Sequence, residues 1–408
     1  MRADRVALGE VAEIRSGVGF PVHLQGRDDG AYPLAKVGDV SRTARAGRAV
    51  MHTADNYVED EDLATLRTAP FPAGTILFAK IGEAIRQNYR AITGKPFLAD
   101  NNVMGVTPGG RLDPRYLYHY LRSVDLYPLA QSTTVPSIRK SELARMLIPC
   151  PTLPEQRRVV QVMDQVDAMR AKRREAIALF NDLAQSIFLD MFGDPIANPS
   201  DWSRVPLGQL LSRIDSGKSP QCLDRPARDE EWGVLKLGAV TQGVYIPSEN
   251  KALPGSVDPD GRNEVQAGDL LFTRKNTPDL VAAVAYVRET PEKLLLPDLI
   301  FRLTTRPDAA VDKVYLHGLL SYPPKRRKIQ ELATGSAASM PNISKAKLLE
   351  LPSELPPVEL QNRYALRIEK IEQLKAVHVR QLEELDALFD SVRHRAFRGE
   401  LWGDASVV

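Results

Sequence analysis

Positions 159, 162, 166, 169, 173, 176, 180, 183, 187 and 190 lie 3 and 4 residues apart and hold Val, Val, Val, Met, Arg, Ala, Phe, Leu, Ile and Asp. Eight of these ten are apolar, which is the seam of a coiled coil. Pro154 sits where a first-turn proline is tolerated, and Glu155 suits a helix N-terminus. No Gly or Pro follows until Gly193-Asp194-Pro195 supplies a stop. The pattern predicts a helix of about 39 residues, roughly 58 Å long at 1.5 Å per residue. One globular domain offers no surface of that length, so the seam needs another helix. A second such segment runs from about Glu359 to Phe397. The segments before each helix read differently. They are rich in Gly and Pro, with short β-type runs such as Thr75–Ala79 and Asn102–Val106, and one helix expected near Tyr116–Ser123.

The chain also repeats itself. Val6-Ala7-Leu8-Gly9 returns as Val205-Pro206-Leu207-Gly208, and Gly74-Thr75-Ile76-Leu77-Phe78 as Gly268-Asp269-Leu270-Leu271-Phe272. Pro136-Ser137-Ile138 returns as Pro341-Asn342-Ile343, at an offset of 341 − 136 = 205. The same offset relates Gln156 to Gln361, Leu183 to Leu388 and Phe192 to Phe397. Solenoid repeats recur every 20–50 residues or so, far less than this. The pattern is a duplicated domain-plus-helix, and each long helix has the other as its obvious partner. In that pairing Arg173 and His378, near the two midpoints, are repeat equivalents that fall in one layer. A polar seam residue costs stability and fixes register.

Composition narrows the chemistry. Of 408 residues 43% are hydrophobic and 26% charged, an ordinary balance for a globular protein. No apolar run reaches the roughly 18 residues of a membrane helix, and no signal-peptide core opens the chain, so a cytoplasmic protein is expected. Cys150 and Cys222 form no CxxC, and the six histidines form no HxH or HExxH, so no metal site is expected. Gly217-Lys218-Ser219 resembles the end of a phosphate loop, but Ser212 stands where that motif needs Gly. Asn198-Pro199-Ser200-Asp201 lacks the aromatic of a methyltransferase tetrapeptide. Glu249-Asn250-Lys251 is the one nuclease-like tripeptide, and Ala49–Met51, its counterpart, has lost both charges. The expectation is a chain that catalyses nothing and carries no cofactor. The alternatives are a nuclease or modification enzyme with an unmarked site, and a coiled-coil scaffold.

A net charge of +2 does not suggest nonspecific nucleic-acid binding, yet basic residues recur at repeat-equivalent places. Lys36 pairs with Lys236, and Lys80 with Arg274. Arg86 and Arg90 follow Lys80; Lys275 and Asn276 follow Arg274. Arg139 and Lys140 follow Pro-Ser-Ile, and Lys345 follows Pro-Asn-Ile. Lys218, Lys325, Arg326 and Arg327 complete the candidate DNA-binding set. Such side chains reach phosphates and base edges.

Several stretches, quoted from this sequence, resemble the specificity (S) subunits of type I restriction–modification systems. They are Ser216-Gly217-Lys218-Ser219-Pro220, Trp232-Gly233-Val234-Leu235-Lys236, Glu249-Asn250-Lys251-Ala252-Leu253-Pro254 and Leu271 through Thr277. Gly335-Ser336 through Met340-Pro341-Asn342-Ile343 and Leu153-Pro154-Glu155-Gln156-Arg157 are the most specific. Leu360-Gln361, where that family usually has Glu-Gln, is a minor departure. The resemblance covers essentially the whole chain. It implies a mixed α/β protein with two tandem target-recognition domains, separated by two long helices packed as an antiparallel coiled coil, pseudo-two-fold symmetric. The boundaries expected are 1–153 for the first recognition domain, 154–193 for the first spacer helix and 194–357 for the linker and second domain. The second helix then spans 358–398 and a tail 399–408. The resemblance also implies a non-catalytic adaptor for double-stranded DNA with a bipartite target. Its partners would be two methyltransferase (M) subunits, which use S-adenosylmethionine to methylate adenine, and motor-nuclease (R) subunits, which use ATP.

Overall fold

Local signals place the two longest elements. The helices Leu153–Phe192 and Val358–Arg398 start just after proline-containing turns, and the first ends at Gly193, whose φ is +75°. Thr152 donates through its N–H and Oγ1 to the Glu155 carboxylate at 2.9 and 2.7 Å, closing the first turn. The computed structural model describes residues 4–131, 135–334 and 340–401. It divides into two units, Met1–Glu175 with His378–Val408, and Ala176–Val377. Each unit contains one α/β domain and half of each long helix.

In the first unit the apolar run Ile76–Ala79 is buried on both faces, so it reads as continuous rather than alternating. It lies inside a five-stranded sheet of order Ala12–Ser16, Val103–Pro108, Ile76–Ala79, Ala91–Thr93, Val50–Met51. The second unit has Leu211–Ser216, Ile300–Thr305, Leu270–Thr273, Val284–Tyr286 in the same order. A small three-stranded sheet accompanies each. Its middle strand, Tyr32–Ala35 or Gly233–Leu235, runs antiparallel to one neighbour and parallel to the other in both units. Each domain is closed by pairing its first strand with its last, Arg5–Ala7 with Leu147–Pro149 and Ser203–Pro206 with Pro352–Leu355. The edge strand Val50–Met51 has no counterpart among the described residues of the second unit.

Leu77 and Leu271 are fully buried at matched places in the central strand, facing Ala35 and Val40 in one unit and Ala239 and Val240 in the other. Their neighbours Ile76 and Phe78, or Leu270 and Phe272, point to the opposite face, as a period of two requires. There they meet Leu117 and Leu121, or Leu316 and Leu320. Those leucines come from the helices Pro114–Ser123 and Lys313–Ser321, each N-capped by an aspartate, Asp113 or Asp312. The domains are more helical than their Gly- and Pro-rich sequences suggest. Val37–Arg45, for example, is a helix whose first turn is closed by Asp39 accepting from the Lys36 N–H at 2.8 Å.

Within each unit the helix halves run antiparallel. In the first, Arg170 meets Asp386 and Arg173 meets His378; in the second, Phe188 packs on Tyr364. The seam differs from the expected one at alternate positions. Val159, Val166, Arg173 and Phe180 lie on it, but Met163, not Val162, is fully buried, and Met169 and Leu183 are about half exposed. The inward face continues through Arg170, Ile177, Ala184 and Phe188. A period of 3.5 permits either a 3-4 or a 4-3 phase, and contacts with the domain select the latter. His119, for example, brings Asp164 and Phe389 to the inward side.

Candidate nucleic-acid interface

One edge of each domain gathers part of the basic set singled out above. In the second unit the strands Leu211–Ser216, Leu270–Thr273 and Ile300–Thr305 present neighbouring ends there. The Pro-Asn-Ile turn docks on it: the Ile343 N–H donates to the Arg274 carbonyl at 2.8 Å, and Arg274 Nε donates to Asn342 Oδ1 at 3.0 Å. The guanidinium of Arg274 lies 5.1 Å from the Phe301 ring centroid, and Lys345 Nζ lies 5.5 Å from it. Lys345 Nζ also donates to the Ile214 carbonyl at 2.6 Å. Arg274, Lys275 and Lys345 are thus held together, and the exposed Lys218 follows the same strand end. Gly335 and Ser336 lie outside the described residues.

The first unit repeats the scaffold with different furniture. The Ile138 N–H donates to the Lys80 carbonyl at 2.9 Å. Lys80 Nζ donates to Ser16 Oγ at 3.0 Å, and burial pushes its pKa down. Arg139 and Lys140 are exposed beyond the turn. Arg86 is exposed, paired with Glu83 at 2.9 Å, with its guanidinium 3.5 Å from the centroid of the Tyr127 ring. Both strand exits carry a glycine for steric reasons. A Cβ on Gly17 would lie 2.1 Å from the Asp100 carbonyl oxygen, and one on Gly217 1.7 Å from that of Leu296. The Ser-Gly-Lys stretch is therefore a close backbone passage.

Other members of the set sit elsewhere. Lys36 and Lys236 directly follow the middle strands of the small sheets, with Lys36 Nζ donating to Gln25 and Lys236 3.1 Å from Glu249. Asn276 is buried, donating to Thr241 Oγ1 at 3.1 Å. Lys325 is 4% exposed, with Nζ 2.6 Å from Glu354 and 2.7 Å from the Pro352 carbonyl. The Lys325–Lys328 run is a dense basic cluster in the sequence, with Lys325, Arg326 and Arg327 expected on DNA. It folds as the helix Pro323–Gln330, which turns Lys325 and Ile329, four apart, to the core. Arg326 reaches the Asp279 and Val281 carbonyls, and burial lowers its pKa; Arg327 is exposed. Arg90 is 2% exposed and faces the long helices' side of its domain. Buried Lys325 cannot contact DNA while it remains so placed, and Arg90 lies off the edge that carries Arg274 and Lys345. Arg173 Nη1 lies 3.2 Å from His378 Nδ1. A guanidinium only donates, so His378 accepts at Nδ1.

Residues 3–178 match the family described as type I restriction modification DNA specificity domain. The "Type I restriction enzyme EcoEI specificity subunit" of Escherichia coli is 32% identical over 206 residues, covering 48% of this chain and 34% of that relative. A putative type I restriction enzyme MjaX specificity subunit of Methanocaldococcus jannaschii is 22% identical over 408 residues, covering 92% and 89%. The crystal structure of a type I restriction–modification S subunit from M. genitalium shares the fold, with a TM-score of 0.56 at 14% identity over 97% of this chain and 96% of that one. The family match thus covers less than half of the chain, while the likeness to the solved S subunit, one of fold, runs over nearly all of it. The match to the E. coli relative spans only about a third of that protein's length, whereas the last two span nearly all of theirs.

One further repeat-equivalent pair lies where each domain meets its long helix. Gln156 and Gln361 are both fully buried. Gln156 Oε1 accepts from the Asp113 N–H at 2.8 Å, and its Nε2 donates to the Arg111 and Pro151 carbonyls at 2.9 and 2.8 Å. Gln361 does the same with Asp312, Ala310 and Pro356 at 2.9, 3.1 and 2.7 Å. One amide thus ties the start of each long helix to its domain. The available signal was the repeat itself: an uncharged polar residue kept at offset 205, directly after Pro154-Glu155 in one helix and Glu359-Leu360 in the other.

Proposed function

We propose that this chain is the DNA sequence-recognition subunit of a type I restriction–modification complex and performs no chemistry itself. Each α/β domain reads one half of a bipartite double-stranded target. The long helices set the gap between half-sites and dock two methyltransferase subunits. Methylation of adenine with S-adenosylmethionine, and ATP-driven cleavage by motor-nuclease subunits, belong to those partners in the cytoplasm. The observation that carries this reading is a repeated scaffold with an unrepeated edge. Strand order, aspartate caps and glutamine ties recur, while Lys80 with Ser16 in one edge becomes Arg274 with Asn342 in the other. A device that reads two different half-sites needs that combination. Arg86, Arg139, Lys140, Lys218, Arg274, Lys275, Arg327 and Lys345 are the members of the basic set placed to approach DNA.

Docking is supported by the outer faces of the helices. Met169 and Leu388 in one unit, and Leu374 and Leu183 in the other, are repeat equivalents at 46–56% exposure. In the first unit Met169 and Leu388 border a groove of about 420 Å³ with Lys172 and Glu384. Among the described residues no helix is long and apolar enough to cross a membrane, and no group of three or more His, Cys, Asp or Glu could hold a metal ion. The test is methylome sequencing of the host with and without the gene. Loss of a split adenine-methylated motif on deletion supports the proposal. Methylation or cleavage by the purified chain alone would replace it with an enzyme.

A further inference from the structure

The first unit has a cavity of about 1130 Å³ between the end of the helix Val37–Arg45, the segment Gln87–Arg90, the helix Pro114–Ser123 and the first long helix. Its lining includes seven arginines against Asp164, Asp167 and Glu175. Some of these arginines are matched. Arg115 lies 2.8 Å from Asp164, while Arg122 and Arg170 lie 3.1 and 2.6 Å from Asp167. Arg90 is not. No carboxylate among the described residues is within ion-pair distance of it. Its Nη atoms donate to the Tyr89 carbonyl at 2.9 Å and to Asn88 Oδ1 at 2.5 Å, and its Nε has no hydrogen-bond partner. His119, 2% exposed on the same wall, gives Nε2 to Asp164 and leaves Nδ1 without a partner.

Burying a guanidinium without a counter-charge is strongly unfavourable. The fold does not demand it, because the second unit solves the same geometry otherwise. Ile92 and Tyr286 hold matched registers, and Asn88 and Ala282 share a left-handed backbone, so Arg90 corresponds to Val284. Val284 is buried there at 1% exposure. Arg115, Arg122 and Arg174 correspond to Val314, Ser321 and Val379, whereas the pair Asp167–Arg170 persists as Glu372–Lys375. The structural ion pair is kept in both halves, and the extra arginines belong to the first alone. Burial lowers Arg90 to about 9, which leaves it protonated at neutral pH.

We propose that this cavity is an anion site that takes a phosphate group, with Arg90 at its floor and Arg122 and Arg48 at its walls. A tetrahedral phosphate offers more acceptor positions than a carboxylate and can engage several guanidinium forks at once. The group comes either from a DNA backbone or from a free phosphate species. The free-phosphate arm is independent of the DNA-reading function proposed above; the DNA arm rests on it.

The full chain and its R90V, R122S and R48A variants are titrated with inorganic phosphate by calorimetry at constant ionic strength. Each is then titrated with duplex DNA over a salt series. R90V and R122S install the residues the second half uses, circular dichroism checks their folding, and R48A, on the exposed rim, carries the test if R90V does not fold. Saturable phosphate binding, weakened at least about tenfold in the variants, assigns a free phosphate species. No phosphate binding, but a salt dependence of DNA affinity reduced by about one ion per arginine removed, assigns the backbone. Neither effect overturns the proposal. A wild-type chain that binds no DNA defeats the DNA-reading function and leaves the phosphate titration to decide this site.

Discussion

Replacing Gln361 by alanine tests whether one amide joins the second long helix to its domain. The side chain is fully buried and makes three hydrogen bonds, one accepted from the Asp312 N–H and two donated to the Ala310 and Pro356 carbonyls. Alanine removes all three and leaves one donor and two acceptors on the main chain without partners. Each buried group left unpaired costs about 1–3 kcal/mol. Water entering the vacated space recovers part of this, so the expected loss is about 3–5 kcal/mol. With a urea dependence of about 2 kcal/mol per molar, the midpoint should fall by about 1.5–2.5 M. Trp202 and Trp232 both lie in the Ala176–Val377 unit and report its unfolding by fluorescence, in a Trp402→Phe background. The Asp312 amide should also exchange faster with solvent. Gln156→Ala, which opens the equivalent tie in the other unit, should leave the Trp202 and Trp232 transition nearly unmoved. A midpoint shift below about 0.3 M for Gln361→Ala, or equal shifts for the two variants, would refute the tie as the source of stability.

Three further outcomes are expected. Arg274→Ala with Lys275→Ala should weaken recognition of one half-site by at least about tenfold and spare the other; binding to duplexes altered in one half-site checks this, and equal loss at both sites rules out a modular reader. Arg173→Leu with His378→Leu should raise thermal stability by about 1 kcal/mol while broadening the tolerated gap between half-sites, because an apolar layer no longer fixes register; unchanged tolerance over a series of gap lengths removes that role. Burial, with Arg288 nearby, holds His317 down to about 4 from 6.5. The unfolded chain then binds the proton first, so the stability this group contributes is complete above pH 6.5 and declines as the pH falls toward 4. Urea midpoints across that window should show the slope in the wild type and lose it in His317→Asn; a slope that persists assigns it to other groups.

The sequence alone was enough for everything that depends on periodicity and self-comparison. The two long helices follow from a 3.5-residue apolar period uninterrupted by Gly or Pro, a local property of the chain. The duplication follows from matched words such as Ile76-Leu77-Phe78 and Leu270-Leu271-Phe272, which fold to the same central strand. The pairing of Arg173 with His378 follows from the repeat once the helices are antiparallel, and the 3.2 Å contact agrees. What sequence could not decide was direction. Val162 and Met163 are equally apolar, and only docking of the domain on the helix turns Met163 inward. Lys325 and Arg327 are equally basic, and only the seat of one short helix buries the first against Glu354. Arg90 reads like any loop arginine until the sheet register places it where the other half keeps a valine. Local pattern sets which elements form; which of two similar side chains meets solvent is decided by the surfaces those elements pack against, and these come from distant parts of the chain.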